Sequence, residues 1–304
     1  MKKAIGAMAL ATGLTCFRIA SQAQTFIGPD GIALHRFSPL NGGTNSDGAN
    51  PAASLAFIGG VLIGTTLNGG LQGNGAAFYL GLDGTNFINF HSFTSPPDAG
   101  NPQGSLVVSG NAFFGTSLGG GKSGVGSVFL GYTNGSVSRI QSFAVVSADE
   151  ATNSGGASPS ALLVLSGNIL YGTTTAGGAA ANGTVFSLST NGSTFADLHD
   201  FSALDSNTGT NADGSLPCSG LVLSGNTLYG TASAGGAGGA GVVFSINTNG
   251  GSLDTLYSFT SLDSLAATNT DGAFPASGLV ESNGTLYGTT LAGGTGGRGV
   301  VFSV

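Results

Sequence analysis

One register runs through this chain and decides how it can fold. Phe78, Phe129, Phe186, Phe244 and Phe302 stand 51, 57, 58 and 58 residues apart. Three residues before each lies a glycine (Gly75, Gly126, Gly183, Gly241 and Gly299). Eight and nine residues before lies a Gly-Gly pair, as in Gly69-Gly70, Gly177-Gly178 and Gly293-Gly294. Upstream of the pairs come LIGTT, FFGTS, LYGTT, LYGTA and LYGTT. With 56 glycines and only 7% charged residues, composition alone would also fit a linker. Disorder keeps no such register, so the chain is a tandem repeat.

Each period predicts four strands. The first is an apolar run (SLAFI, SLVVS, ALLVL, GLVLS, GLVES), and a tight turn leads to the second, the Leu-Tyr-Gly-Thr-Thr run. A glycine-rich stretch leads to the third strand (AAFYL, SVFL, TVFSL, VVFSI, VVFSV). Asp83-Gly84, Asn134-Gly135, Asn191-Gly192 or Asn249-Gly250 then turns the chain into the fourth, as type I′ hairpins require. The fourth ends at Phe37, Phe93, Phe143, Phe201 or Phe259. Four short antiparallel strands per repeat predict an all-β, five-bladed β-propeller. Residues 32–37 (IALHRF) read as a fourth strand without its first three, and 299–304 (GVVFSV) as a third strand without its fourth. Joining them would complete the last blade, close the ring and remove its open edges. A β-solenoid is the other repeat architecture considered, and it predicts no such complementarity.

Residues 1–23 read as a secretory signal peptide, leaving 24–304 as one domain. Lys2 and Lys3 precede an apolar run, and Ser21-Gln22-Ala23 places small residues at a cleavage site. Cys16 follows Leu14-Thr15, a poor lipoprotein site, so lipid anchoring is not expected. Removing the leader takes Lys2, Lys3 and Arg18, leaving four cations against fourteen acids, 4 − 14 = −10. Nucleic acid and anionic membrane surfaces are therefore excluded as expected partners. No later run has membrane-spanning length. Cys218 is then the single remaining cysteine, so the fold is expected to rest on its core without a disulfide.

The stretches LYGTTTAGGAAANGTVFSL (170–188) and LHDFSALDSNTGTNADGSLP (198–217) resemble the GloVer (Gloeo-Verruco) tandem-repeat family, and the resemblance covers all five periods. The first two repeats depart from it, with Ile63 and Phe114 where the family pattern has Tyr. The resemblance implies an exported protein of no established activity. Many members carry a C-terminal sorting or anchoring tail, and nothing after Val304 supplies one here.

Strand alternation places the glycine-rich loops and the inter-blade loops at one end of the ring, where function is expected. TNSDGANP (44–51), TNADGSLP (210–217) and TNTDGAFP (268–275) share Asn-x-Asp-Gly, whereas the third repeat has TNSGGASP. Asn45, Asp47, Asn211, Asp213, Asn269 and Asp271, with Asp205 and Asn207, are thus the candidate ligand or calcium residues. Alternating oxygen side chains from Asp205 to Asp213 suit Ca²⁺, but the twelfth-position Glu of an EF-hand is missing. Turn chemistry alone accounts for every residue and is the preferred reading, with no cofactor expected. His35, His91 and His199 share one repeat position with Gln141 and Tyr257, so they read as separated strand residues, not one metal site.

Catalytic sets are not apparent. A sugar-cleaving propeller needs a carboxylate pair near its axis, and the innermost strands offer only Glu281. Cys218 aligns with Ala276 and reads as a packed side chain, while Tyr171, Tyr229 and Tyr287 read as packing. Gly236-Ala-Gly238-Gly-Ala-Gly241 matches a dinucleotide fingerprint by letter, but no helix follows to hold a pyrophosphate. The expectation is a non-enzymatic envelope or extracellular binding or structural module contacting a glycan or a surface protein. The alternative is a glycan-active hydrolase or lyase using Asp47, Asp213 and Asp271.

Overall fold

The computed structural model describes residues 33–147 and 151–304. The predicted leader lies outside the described residues. All regular structure among the described residues is β, in five antiparallel sheets taken one after another along the chain. Unit 1 contains Ala56–Ile58, Val61–Thr66, Ala76–Gly81 and Ile88–Ser92, paired in sequence order. Units 3 and 4 repeat it, as Val164–Ser166, Ile169–Thr174, Thr184–Ser189 and Phe195–Asp200, then Val222–Ser224, Thr227–Ala232, Val242–Asn247 and Asp254–Ser258. Unit 2 (Val107–Ser109, Ala112–Gly120, Ser127–Tyr132, Val137–Ser142) adds Ala99–Pro102 against its second strand.

Cross-strand register explains the glycine of the Leu-Tyr-Gly-Thr run. Gly172 lies opposite Phe186, and a Cβ on Gly172 would meet the tip of that ring at 2.6 Å. Gly64, Gly115, Gly230 and Gly288 stand in the same relation to Phe78, Phe129, Phe244 and Phe302, at 2.4–2.6 Å. The repeating phenylalanine lies across its own sheet, and only glycine leaves room. A bulge follows at one place in four units, at Ala77/Phe78, Val128/Phe129, Val185/Phe186 and Val243/Phe244, adding twist where the fourth strand joins.

Neighbouring units join through three recurring contacts. The phenylalanine ending each fourth strand packs against the next unit's third-strand phenylalanine: Phe93 on Phe129, Phe143 on Phe186, Phe201 on Phe244 and Phe259 on Phe302, with centroids 5.1–5.4 Å apart. These eight side chains include seven of the most deeply buried in the protein. The residue before each inner-strand proline donates its N–H across the junction: Asn101 to Asn74 O, Ser158 to Val125 O, Leu216 to Asn182 O and Phe274 to Ala240 O. All four donors have φ of 56–59°, a left-handed conformation unusual for Leu and Phe, held by this bond and the following proline. The third contact sets that proline against a left-handed glycine, as Pro275 against Gly241 (φ +102°).

The last unit differs. Its strands are Ala273–Pro275, Val280–Ser282, Thr285–Ala292 and Val301–Ser303, and among the described residues Val301–Ser303 pairs only with Thr285–Ala292. Residues 33–37 carry no strand pairing, so the fourth strand expected from 32–37 is not joined to the last unit. Residue 32 lies outside the described residues. Two faces consequently stand open. Val280, Leu291 and Val301 of unit 5 are 64–81% exposed, while Leu55 of unit 1 is 50% exposed and its equivalents Leu106, Leu163, Leu221 and Leu279 are buried.

Candidate functional site

The glycine-rich loops and the loops between units lie at one end of every sheet, and the Asn-x-Asp-Gly motif ties them together. Asn211 Oδ1 accepts from Gly214 N at 2.9 Å and Gly236 N at 2.8 Å, while its Nδ2 donates to Ser202 O and Gly214 O. Asn45, Asn153 and Asn269 make the same four bonds in their own units. One amide thus fastens the inter-unit loop to the second glycine of each Gly-Gly pair. A Cβ on the first glycine, Gly177, Gly235 or Gly293, would lie 2.5 Å from that amide oxygen.

The aspartate two residues on is equally occupied. Asp213 Oδ2 accepts from His199 Nε2 at 2.8 Å and Ser202 N at 3.0 Å, and Oδ1 accepts from Ser202 Oγ. Asp47 is held by His35, Ser38 N and Ser38 Oγ at 3.2, 2.9 and 2.7 Å. Asp271 takes Tyr257 OH at 2.8 Å together with Thr260 N and Oγ1. Asp98, in the shorter second loop, takes His91 Nε2 at 2.9 Å and Ala99 N at 2.8 Å. Burial opposes ionisation of these four carboxyls, but the donated hydrogen bonds outweigh it and hold each below the usual carboxylate range. That direction is opposite to what a general acid needs.

The three histidines, read from sequence as amphipathic strand residues, are therefore clamp partners of the loop aspartates. The sequence held the signal: where the aspartate is replaced by Gly155, the histidine is replaced by Gln141, and where Tyr257 stands the aspartate remains. Asp205 caps its own turn through Asn207 N, Thr208 N and Thr208 Oγ1, apart from the clamp. The alternating oxygens from Asp205 to Asp213 thus face separate hydrogen-bond partners. Among the described residues no group of three or more His, Cys, Asp or Glu side chains is arranged to hold a metal. Glu281 accepts from Gly284 N in a hairpin turn. Cys218 is disulfide-bonded, which corrects its reading as a lone packed thiol.

The clamp missing from unit 3 leaves a hollow of about 360 Å³ lined by Gln141, Gly155, Phe195 and Asp197. At the position of Asp197, opposite the third-strand phenylalanine, the other units carry Asn89, Arg139 and Thr255. Each of those donates to a carbonyl of the preceding loop: Ser46, Pro97 and Ala212. An ionised Asp197 cannot donate. Its desolvated carboxyl beside Asp200 is pushed up to about 6. A carboxyl raised in the folded state stabilises below its unfolded value of 3.8, and that contribution is lost as pH rises through about 6. In a sealed site the shift would be worth about 3 kcal/mol. Asp197 is exposed as a residue, so screening reduces this to about 1 kcal/mol. Asp197→Asn, which restores a donor, is expected to stabilise by about 1 kcal/mol at pH 8 and negligibly at pH 4. Urea unfolding at both values checks this, and an equal effect at the two would contradict it.

At the same end, a cavity of about 820 Å³ is lined by all five units, where the inter-unit loops enter the first strands. Ala52, Gln103, Ser160, Cys218 and Ala276 occupy one repeat position around it, each following the inner-strand proline.

The profile of the Gloeobacter/Verrucomicrobia repeat matches residues 130–304, more than half of the chain. The chain belongs to that repeat family. Its sequence matches no curated protein. Among solved structures it is similar to a chain of the Nidogen/Laminin complex (15% identity, TM-score 0.45, covering 78% of this chain and 70% of that one). It is also similar to the extracellular domain of a one-component system of B. thetaiotaomicron (12%, TM-score 0.48, covering 82% and 27%). A third is a gluconolactonase from Xanthomonas campestris (15%, TM-score 0.42, covering 84% and 76%).

Proposed function

We propose that this protein is an exported, non-enzymatic binding module built as a closed five-bladed β-propeller, with its ligand at the end that carries the long loops. The closure rests on residues 33–38. Phe37 lies 5.4 Å from Phe78, within the range of the four junction pairs, and Ser38 and His35 clamp Asp47 as Ser202 and His199 clamp Asp213. Relative to unit 1, this segment stands where a preceding unit's fourth strand stands. The preceding unit is then unit 5, whose third strand has no partner on its outer edge among the described residues and whose open apolar face repeats the buried face of unit 4.

The observation that carries the binding role is a set of loops fixed by clamps around one cavity. Rigid loops on a repeat scaffold suit recognition. Their carboxylates are ionised and saturated, which does not suit acid–base catalysis. Export rests on the leader-like residues 1–23. A glycan or an envelope protein is the partner class. Cell fractionation is expected to recover the chain outside the cytoplasm, and the purified protein to bind a glycan array without hydrolysing it. A cytoplasmic chain, or polysaccharide hydrolysis abolished by Asp213→Asn, would overturn this reading.

A further inference from the structure

We propose that the cavity at the centre of the long-loop end is the ligand site, and that it takes an uncharged, hydroxyl-bearing molecule of small-sugar size. The inference rests on the binding-module reading and narrows it from a face of loops to one chamber. At about 820 Å³ the cavity lies within the range of small-molecule sites, roughly 300–1,000 Å³.

Charge decides the class of ligand. Among the described residues no Asp, Glu, Lys, Arg or His lines the chamber, although the chain carries 14 acids. A charged ligand would leave water for a site without a counter-charge, which is unfavourable by several kcal/mol. The wall nevertheless has hydrogen-bonding capacity. Ser54 and Ser105 bring hydroxyls, Ser105 Oγ also accepting from Ser54 N, and Gln103 an amide, whereas Ser160 Oγ is buried in the wall and Ser277 Oγ is bonded to Thr289 Oγ1. Phe274, Leu162, Leu279 and Leu291 supply apolar wall. Hydroxyl edges with apolar C–H faces are the complement of such a lining.

The chamber also breaks the repeat where a recognition site should. The framework leucine of the first strand recurs as Leu55, Leu106, Leu163, Leu221 and Leu279. The residue just before it, which faces the cavity, reads Ser54, Ser105, Leu162, Gly220 and Gly278. Hydroxyls thus stand on the side of units 1 and 2, an apolar group at unit 3, and open space at units 4 and 5. Packing positions repeat, whereas cavity positions vary while staying neutral. A symmetric wall could not orient an asymmetric ligand, and this one can.

Gly278 gives a clean test. It has an ordinary backbone φ, and a Cβ there would meet nothing nearer than Gly220 O at 3.9 Å. Gly278→Phe should fill the chamber without disturbing the sheets. Calorimetry on the purified protein would use glucose, galactose, maltose and cellobiose, with glucuronate and glucosamine as charged counterparts. The expected result is binding of at least one neutral probe, at least tenfold weaker binding of its charged counterparts, and at least tenfold loss in Gly278→Phe with unchanged melting. If that variant does not fold, Ala276→Phe replaces it. Binding that survives the filled cavity would overturn the chamber while leaving the binding module standing elsewhere on the long-loop end. Preference for a charged probe, or no response to any neutral probe at 10 mM, would overturn the assigned ligand class. A glycan array that stays silent as well would remove the binding reading itself.

Discussion

Val301→Asp is expected to destabilise this protein by about 3 kcal/mol or more, although Val301 is 81% exposed. The argument comes from its equivalents. Ala77, Val128, Val185 and Val243 hold the same place in the other third strands, and each is fully buried. Val243 lies in the cluster with Leu279, Leu286 and Phe259, sealed by the following unit. If unit 1 seals unit 5 in the same way, an aspartate at 301 buries an unpaired charge. Leu265→Asp is the control, because Leu265 is 96% exposed on an inter-unit loop and should change stability by no more than about 0.5 kcal/mol. Equilibrium unfolding in urea compares the two. Equal, negligible effects would mean that the face of unit 5 stays open.

Asp213→Ala carries the second large effect. The substitution removes the acceptor of three hydrogen bonds and leaves Ser202 N–H, Ser202 Oγ and His199 without it, at a site where Asp213 is 9% exposed. Stranding part-buried donors costs about 2–4 kcal/mol in total. Asp205→Ala, which loses only an exposed turn cap, should cost far less. The clamp has a definite pH sign. Because the folded carboxyl is held below its usual range, the stability it contributes is present above the unfolded pKa and lost as pH falls through the folded one. The wild-type advantage over Asp213→Ala should therefore shrink on acidification, opposite in direction to the effect at Asp197. An advantage that grew toward low pH would contradict the clamp.

The strands and their order could be read from the chain because the repeat supplies five aligned versions of each. The Asn-Gly and Asp-Gly turns and the phenylalanines closing the fourth strands of units 1 to 4 fall where the pattern puts them, whereas the fourth strand expected to end at Phe37 carries no strand pairing. The short pairings of Ala99–Pro102 and Ala273–Pro275 with the second strands were not legible. Their left-handed Asn101 and Phe274 arise from contact with the neighbouring unit, which no local propensity encodes. At the site, the Asn-x-Asp-Gly loops were found, but their partners were not. The link from His199 to Asp213 spans 14 residues and a change of element, and it shows only when the Gln141–Gly155 exception is set beside it. The cavity was invisible because its lining is neutral and follows no single residue pattern from repeat to repeat.

Hydrogen exchange on the monomer, resolved to residues 33–37 and 301–303, tests the closed ring most directly. If the N-terminal segment completes the last blade, amides on both strands are protected to the same degree as those of Val242–Asn247 and Asp254–Ser258, the matching pair in unit 4. Rapid exchange at 33–37 together with alternating, edge-like exchange at 301–303 would contradict closure and leave an open arc of five units.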